Sequence, residues 1–171
     1  LIPIADHIIF NSSNQLKKYA ARIKKENQKI HLGLRVNPEL QEVGTALYNP
    51  CAPCSRMGYI KSEISEDVFD YIDGLHFHIL CESLAESSVR LIDLVEEKFG
   101  EWLGNIKWIN FGGGDYINHK EYDKEKLIDR IKKFKAKHNI EVILEPGGTM
   151  VMNAGYLVTT VLDKIKNEKE I

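Results

Sequence analysis

The sequence predicts an α/β protein, a parallel sheet covered by helices, and more specifically the later part of a (β/α) barrel. Three observations carry that expectation. Short strand-like segments alternate with longer helical patterns, one face of every strand is apolar, and the opposite face turns polar toward the strand's C-terminal end. An open doubly wound sheet is covered by helices on both faces, so its strands should read apolar throughout. A barrel has helices outside only and carries its functional groups at the C-terminal mouth, which matches the pattern. Five strands are too few to close the ring, so the expectation is a portion of a barrel, its earlier strands lying outside this chain.

The strands are expected at DHIIFN from Asp6, HLGLRVN from His31, GLHFHIL from Gly74, IKWINFG from Ile106 and EVILEPG from Glu141. In the second, His31, Gly33, Arg35 and Asn37 share one face and Leu32, Leu34 and Val36 the other. His76 and His78 oppose Leu75, Phe77 and Ile79; Asn110 and Gly112 oppose Ile109 and Phe111; Ile143 and Glu145 oppose Val142 and Leu144. The first helix shows Leu16, Tyr19, Ala20 and Ile23 at i, i+3, i+4 and i+7, with Ser12 and Gln15 as a capping box. A second helical pattern runs through Ile64, Val68 and Tyr71. A third opens on Ser83 and Glu86 in the same capping arrangement and carries Leu84, Leu91, Ile92, Val95 and Phe99. The fourth follows Tyr122 with Leu127, Ile128, Ile131 and Phe134. Residues 39 to 60 form one irregular stretch, long enough to suggest a lid or a site builder.

Composition narrows the function. Of the 171 residues 43% are hydrophobic, enough for a globular core. With 23 basic against 25 acidic side chains the net charge is -2, which argues against nucleic acid as a partner. No apolar run approaches the roughly 20 residues that span a bilayer, and the start has no secretory pattern, so no membrane partner is expected. Three cysteines fit a reducing compartment better than a disulfide scaffold, and a cytoplasmic location is expected. The chain begins without methionine and ends in a lysine-rich run, Lys164 to Glu170, expected to be solvated surface.

Five groups could carry chemistry. Gly112-Gly113-Gly114 at a strand end is either an amide nest for phosphate or a tight strand-to-helix turn. Glu145, before Pro146-Gly147-Gly148, faces the mouth, where a carboxylate can hold a protonated ring nitrogen, act as a base, bind a metal or cap a turn. His76 and His78 share a face and suit two metal ligands, a proton-transfer pair or an imidazole against a flat ligand. Arg35 faces the same interior and needs a carboxylate or phosphate partner, Glu145 being one candidate. Cys51 and Cys54 form a C-x-x-C pair without a second one and read as loop cysteines beside a site entrance; with Cys81 and the histidines they would instead make a metal-binding or redox module, the reading from a different class.

Taken in order, GLRVNPE from Gly33, CAPCSRMG from Cys51, GLHFHILCES from Gly74, NFGGGDY from Asn110, EPGGTMVMNAG from Glu145 and YLVTTVLD from Tyr156 resemble the carboxynorspermidine decarboxylases. These polyamine-forming enzymes belong to the pyridoxal-phosphate-dependent family of alanine racemase fold, with the ornithine, arginine and diaminopimelate decarboxylases. The resemblance implies pyridoxal 5'-phosphate as cofactor and a small carboxylated polyamine, carboxynorspermidine or carboxyspermidine, as substrate. It implies that His78 stacks on the cofactor ring and that Glu145 pairs with its pyridine nitrogen. Gly112, Gly113, Gly114, Gly147 and Gly148 would cradle the phosphate, and Arg35, His76, Cys81 and Glu82 would support the site, with no metal. Several relatives carry arginine where Gly148 stands, so backbone amides are expected to do more of that work. The resemblance places the Schiff-base lysine upstream of residue 1. It makes residues 1 to 155 the partial barrel and 156 to 171 the start of a connection to a C-terminal β-domain, in an intact homodimer without which this segment is inactive. Diaminopimelate and arginine decarboxylases of the same family are the nearest alternatives, and a catalytically dead regulatory homologue is a third.

Overall fold

A computed structural model describes residues 1–167 together with 169 and 170. Its main sheet has five parallel strands in the order in which they occur in the chain. They are β1 (His7–Phe10), β2 (His31–Arg35), β3 (Gly74–His76), β4 (Trp108–Asn110) and β5 (Glu141–Ile143). Each parallel connection needs a crossover, supplied by α1 (Ser13–Glu26) between β1 and β2, α2 (Ala85–Phe99) between β3 and β4, and α3 (Lys124–His138) between β4 and β5. A short α4 (Gly147–Val151) follows β5, and a small antiparallel pair, β6 (Lys166–Asn167) with β7 (Lys169–Glu170), stands apart. The expected α/β class is therefore observed, and all five strands fall inside the segments read from the sequence. The run from Lys164 to Glu170 takes in Glu168, and the expected C-terminal connection takes in Ile171; both lie outside the described residues.

The core lies between the sheet and its helices. Leu32, Leu34, Leu75, Phe77, Ile109 and Phe111 are almost wholly buried, against Leu16, Ala20 and Ile23 of α1, Leu91, Val95 and Phe99 of α2, and Leu127 and Phe134 of α3. Ring pairs join the layers: Phe77 meets Phe99 at 5.3 Å and Phe111 meets Phe134 at 5.6 Å. Burying each such ring contributes about 1.5–3 kcal/mol. Tyr19 and Ile128, expected on the buried stripes, are about 40% exposed and sit at the stripe edges.

The opposite face is divided along the strands. Near their N-terminal ends it is filled by rings: Trp108 lies over Gly33 and Gly74, where an added Cβ at Gly74 would come within 2.2 Å of the indole. His7 stacks on His31 at 5.1 Å and meets Trp108 edge-on at 5.0 Å. Toward the C-terminal ends the same face carries Arg35, His76 and Asn110, which the register sets side by side.

Two helical expectations are corrected. The Ile64 to Tyr71 pattern forms no α-helix but two 3₁₀ turns, Lys61–Glu63 and Glu66–Asp70, because Ile64 and Ser65 between them have extended backbone. Its spacing was met only in that Ile64 and Val68 are buried, while Tyr71 is 40% exposed. Ser83 does not cap α2: Leu84 holds the cap position without a side-chain hydrogen bond. The Ser83 backbone is committed elsewhere, donating to Gly114 O at 2.9 Å and accepting from Tyr116 N at 2.9 Å. Ser12 does cap α1, accepting from Gln15 N at 3.2 Å, while Gln15 Oε1 accepts from Asn11 N at 3.1 Å.

Candidate active site

The polar row continues past the strand ends, where three segments meet. Glu145 N donates to Gly112 O at 2.8 Å, so the segment after β5 stays paired with the one after β4. The same alternation turns His78, Gly112 and Glu145 inward, two residues beyond His76, Asn110 and Ile143. His76, His78 and Glu145, separate motifs in the sequence, form one cluster in which a ligand atom from each lies within 4.8 Å of the others. Among the described residues it is the one such group of three metal-ligating side chains, and Cys51, Cys54 and Cys81 do not join it. The sequence had left metal ligation, proton transfer and ring stacking open for the histidines.

Glu145 is the hub. Its Oε2 lies 3.2 Å from His78 Nδ1, and its Oε1 accepts from Asn110 Nδ2 at 2.8 Å and lies 3.6 Å from His76 Nε2. Partial burial works to raise its carboxyl pKa, but the Asn110 hydrogen bond and the two imidazoles outweigh it, so the group sits below its ordinary range and is ionised at neutral pH. His76 shows the reverse balance. It is only 7% exposed, and burial pushes it from 6.5 to about 4 although Glu145 pulls upward; Arg35 and His78 add to the lowering. His76 is therefore neutral at pH 7, and both ring nitrogens are buried without a hydrogen bond of good geometry.

The glycine loop supplies donors. Gly112 and Gly114 have φ of 73° and 94°, the left-handed region that glycine adopts without cost. The loop is also clamped: an added Cβ at Gly113 would stand 2.1 Å from Glu145 O, and one at Gly114 2.1 Å from Leu80 O. The tight-turn reading thus accounts for the glycines sterically. The amide-nest reading survives beside it, because no described group accepts from the Gly113 or Gly114 amides. Behind the loop, buried Asp115 accepts from Tyr122 Oη at 2.6 Å and from Ser88 Oγ. Gly147 and Gly148 open α4, with nothing within 4 Å of an added Cβ at either.

The remaining expected residues are less central. Arg35 makes no ion pair with Glu145; its Nη2 donates to His78 O at 3.0 Å and Nη1 contacts Met57 Sδ at 3.6 Å. Cys81 and Glu82 are exposed at the rim. Cys51 is buried and Cys54 exposed, both as free thiols. Their loop, irregular as expected apart from a 3₁₀ turn at Ala46–Tyr48, walls a cleft of about 790 Å³ lined by Asn37, Glu39, Cys51, Cys54, Tyr59 and Glu63 among others, with no Lys or Arg. Asn11 ties down its far end, donating to Arg56 O and accepting from Gly58 N, each at 2.9 Å. Asn110 is the site residue that motif reading did not single out. Its signal was its place on the polar face of β4, two residues before Gly112.

The resemblance read from the motifs is borne out by comparison with known proteins. The chain is 43% identical over 168 residues, 98% of its length, to a carboxynorspermidine/carboxyspermidine decarboxylase of Campylobacter jejuni, of which it spans 43%. It is 37% identical over 167 residues to a carboxyaminopropylagmatine decarboxylase of Synechocystis, again spanning 43% of that protein. A crystal structure of carboxynorspermidine decarboxylase from Campylobacter jejuni, complexed with norspermidine, superposes with a TM-score of 0.78 at 40% identity, covering 99% of this chain and 42% of the other. No family model matches the chain. It thus spans less than half the length of these relatives.

Proposed function

We propose that the chain is a segment of a pyridoxal-phosphate-dependent decarboxylase that removes the α-carboxylate of carboxynorspermidine or carboxyspermidine. The observation that carries the reading is the convergence of His78, Glu145 and the Gly112 to Gly114 loop on one mouth. A flat face, an ionised carboxylate and spare backbone amides suit the three chemical parts of a phosphorylated pyridine, so the residues present fit that cofactor.

In this reading the Gly113 and Gly114 amides, joined by that of Gly148, hold the phosphate, while Gly147, whose N donates to Glu145 O at 2.7 Å, shapes the cradle; His78 lies against the ring. Glu145, kept ionised by its hydrogen bonds with Asn110 and His78, holds a proton at the ring nitrogen. When bound, pyridoxal phosphate supplies the electron sink for the pair left as carbon dioxide departs. His76, neutral and buried, adds no positive charge that would compete with the ring for Glu145. The cleft walled by residues 39 to 60, with Glu39 and Glu63 and no cationic side chain in its lining, suits a polycationic chain. Arg35, Cys81 and Glu82 belong to the supporting rim.

The barrel is part of the proposal. Five parallel strands in sequential order, with α1, α2 and α3 as crossovers, suit a portion of a barrel whose helices lie outside. Residues 1 to 155 make up the barrel portion, and the apolar stretch Tyr156, Leu157, Val158 and Leu162, all at least 90% exposed, suits a connection to a β-domain. The attachment lysine is assigned to the remainder of a cytoplasmic homodimer. The test is product analysis on the intact protein with pyridoxal phosphate. Norspermidine or spermidine formation supports the proposal, whereas turnover of only diaminopimelate or arginine transfers it to those relatives.

A further inference from the structure

Three hydrogen bonds close a ring at the heart of the site. Asn110 Nδ2 donates to Glu145 Oε1 at 2.8 Å, Glu145 N donates to Gly112 O at 2.8 Å, and Gly112 N donates to Asn110 Oδ1 at 2.7 Å. Asn110 is 4% exposed, and both ends of its amide are engaged in this ring. Gly112 also packs closely on the segment after β3, where an added Cβ would stand 2.7 Å from Phe77 O. The ring differentiates the two oxygens of Glu145. Oε1 is taken by Asn110 and backed by His76 at 3.6 Å, whereas Oε2 faces His78.

We propose that Asn110 is a positioning residue that locks Glu145 to the glycine loop and reserves Oε2 as the oxygen that meets the cofactor's ring nitrogen. The proposal rests on the pyridoxal-phosphate reading above. Its physical basis is that a neutral amide stabilises a carboxylate without bringing a competing charge, and that one rigid amide fixes the acid and the phosphate donors relative to each other. An aspartate at 110 would keep the acceptor for Gly112 N, so the loop anchor survives, but would lose the donor and set a second carboxylate against Glu145. The charged and titratable groups facing Glu145 are His76 and His78 from the β3 segment and Arg35 from β2, and all are unchanged by that substitution.

The experiment compares the intact wild-type protein with Asn110→Asp, Asn110→Ala, Glu145→Gln and the two double variants that combine Glu145→Gln with Asn110→Asp or with Asn110→Ala. The readouts are pyridoxal phosphate affinity and absorbance, kcat and KM, and the pH profile. Asn110→Asp is expected to weaken pyridoxal phosphate about tenfold or more, as for loss of a hydrogen bond to a charged group. It should lower kcat more than KM, move the acidic limb of the profile to higher pH, and cost little further in the Glu145→Gln background. A purely structural anchor would leave Asn110→Asp close to wild type and make Asn110→Ala additive with Glu145→Gln. That result, or an unmoved acidic limb, overturns the proposal. Should Asn110→Asp fold poorly by thermal melting, Asn110→Ser, which keeps an oxygen for Gly112 N, is read the same way. Failure of the wild type to bind pyridoxal phosphate would instead remove the reading underneath.

Discussion

His78 and Glu145, 67 positions apart in the chain, meet at 3.2 Å between Nδ1 and Oε2. Neither belongs to a helix or a hydrogen-bonded strand; each sits just past the end of one, on the inward side. The contact therefore depends on the register of β3, β4 and β5, and on the glycine loop that lets their ends close together. A carboxylate between two imidazoles and an amide is a designed charge environment, and each support can be removed separately.

The glycine loop is the first. Replacing Gly113 by alanine puts a Cβ 2.1 Å from the Glu145 carbonyl oxygen, a backbone atom with little freedom to move. The variant should lose about 1–3 kcal/mol of stability, the usual cost of overpacking. Chemical denaturation with the slope held constant measures it; a midpoint equal to wild type would show that the loop is not clamped.

Tyr122→Phe tests the anchor behind the loop. The phenol donates to buried Asp115 at 2.6 Å, and burial together with that carboxylate raises its pKa so that it stays a donor. Losing the donor leaves Asp115 with Ser88 as its remaining side-chain partner and should cost about 1–3 kcal/mol. Thermal unfolding reads the loss, and a Tm unchanged from wild type would mean that Ser88 alone suffices.

Acidification should destabilise the protein in two stages. His76 falls from 6.5 to about 4 in the folded state, so the contribution of its neutral form is complete above 6.5 and is lost as pH falls toward 4. Glu96 of α2 follows. Burial works to raise its carboxyl, but hydrogen bonds with His138, Lys137 and Arg130 of α3 bring it from 4.5 to about 2. Its contribution is therefore present above 4.5 and lost between 4.5 and 2. Melting temperature against pH should decline from 6.5 downward, and Glu96→Gln should flatten the part below 4.5. A Tm that rises on acidification through either window contradicts the assignment.

The strands were readable because their side chains alternate with a period of two, and one apolar face is an unambiguous demand for a layer above it. Five short strands therefore appear where the pattern put them. The Ile64 to Tyr71 stretch misled because helical spacing also arises when two 3₁₀ turns bury Ile64 and Val68, and extended backbone at Ser65 leaves no trace in the pattern. Ser83 misled for a different reason: its cap signature is local, whereas its backbone is claimed by Gly114 and Tyr116, about thirty residues on. Glu145, His78 and the glycines were legible as motifs. Asn110 was not, since an asparagine acquires its role only when Glu145 and Gly112 are brought to either end of its amide. The same holds for Arg35, whose expected acid partner is replaced by the His78 carbonyl oxygen.

The central claim is that Glu145 makes this mouth a decarboxylation site. The direct measurement is norspermidine release from carboxynorspermidine by the intact protein with saturating pyridoxal phosphate, wild type against Glu145→Ala. The account predicts turnover by the wild type and a fall of at least about a hundredfold in the variant, or ~2.7 kcal/mol of lost transition-state stabilisation. Wild-type protein that binds pyridoxal phosphate yet releases no norspermidine, or a variant within about tenfold of wild type, would contradict it.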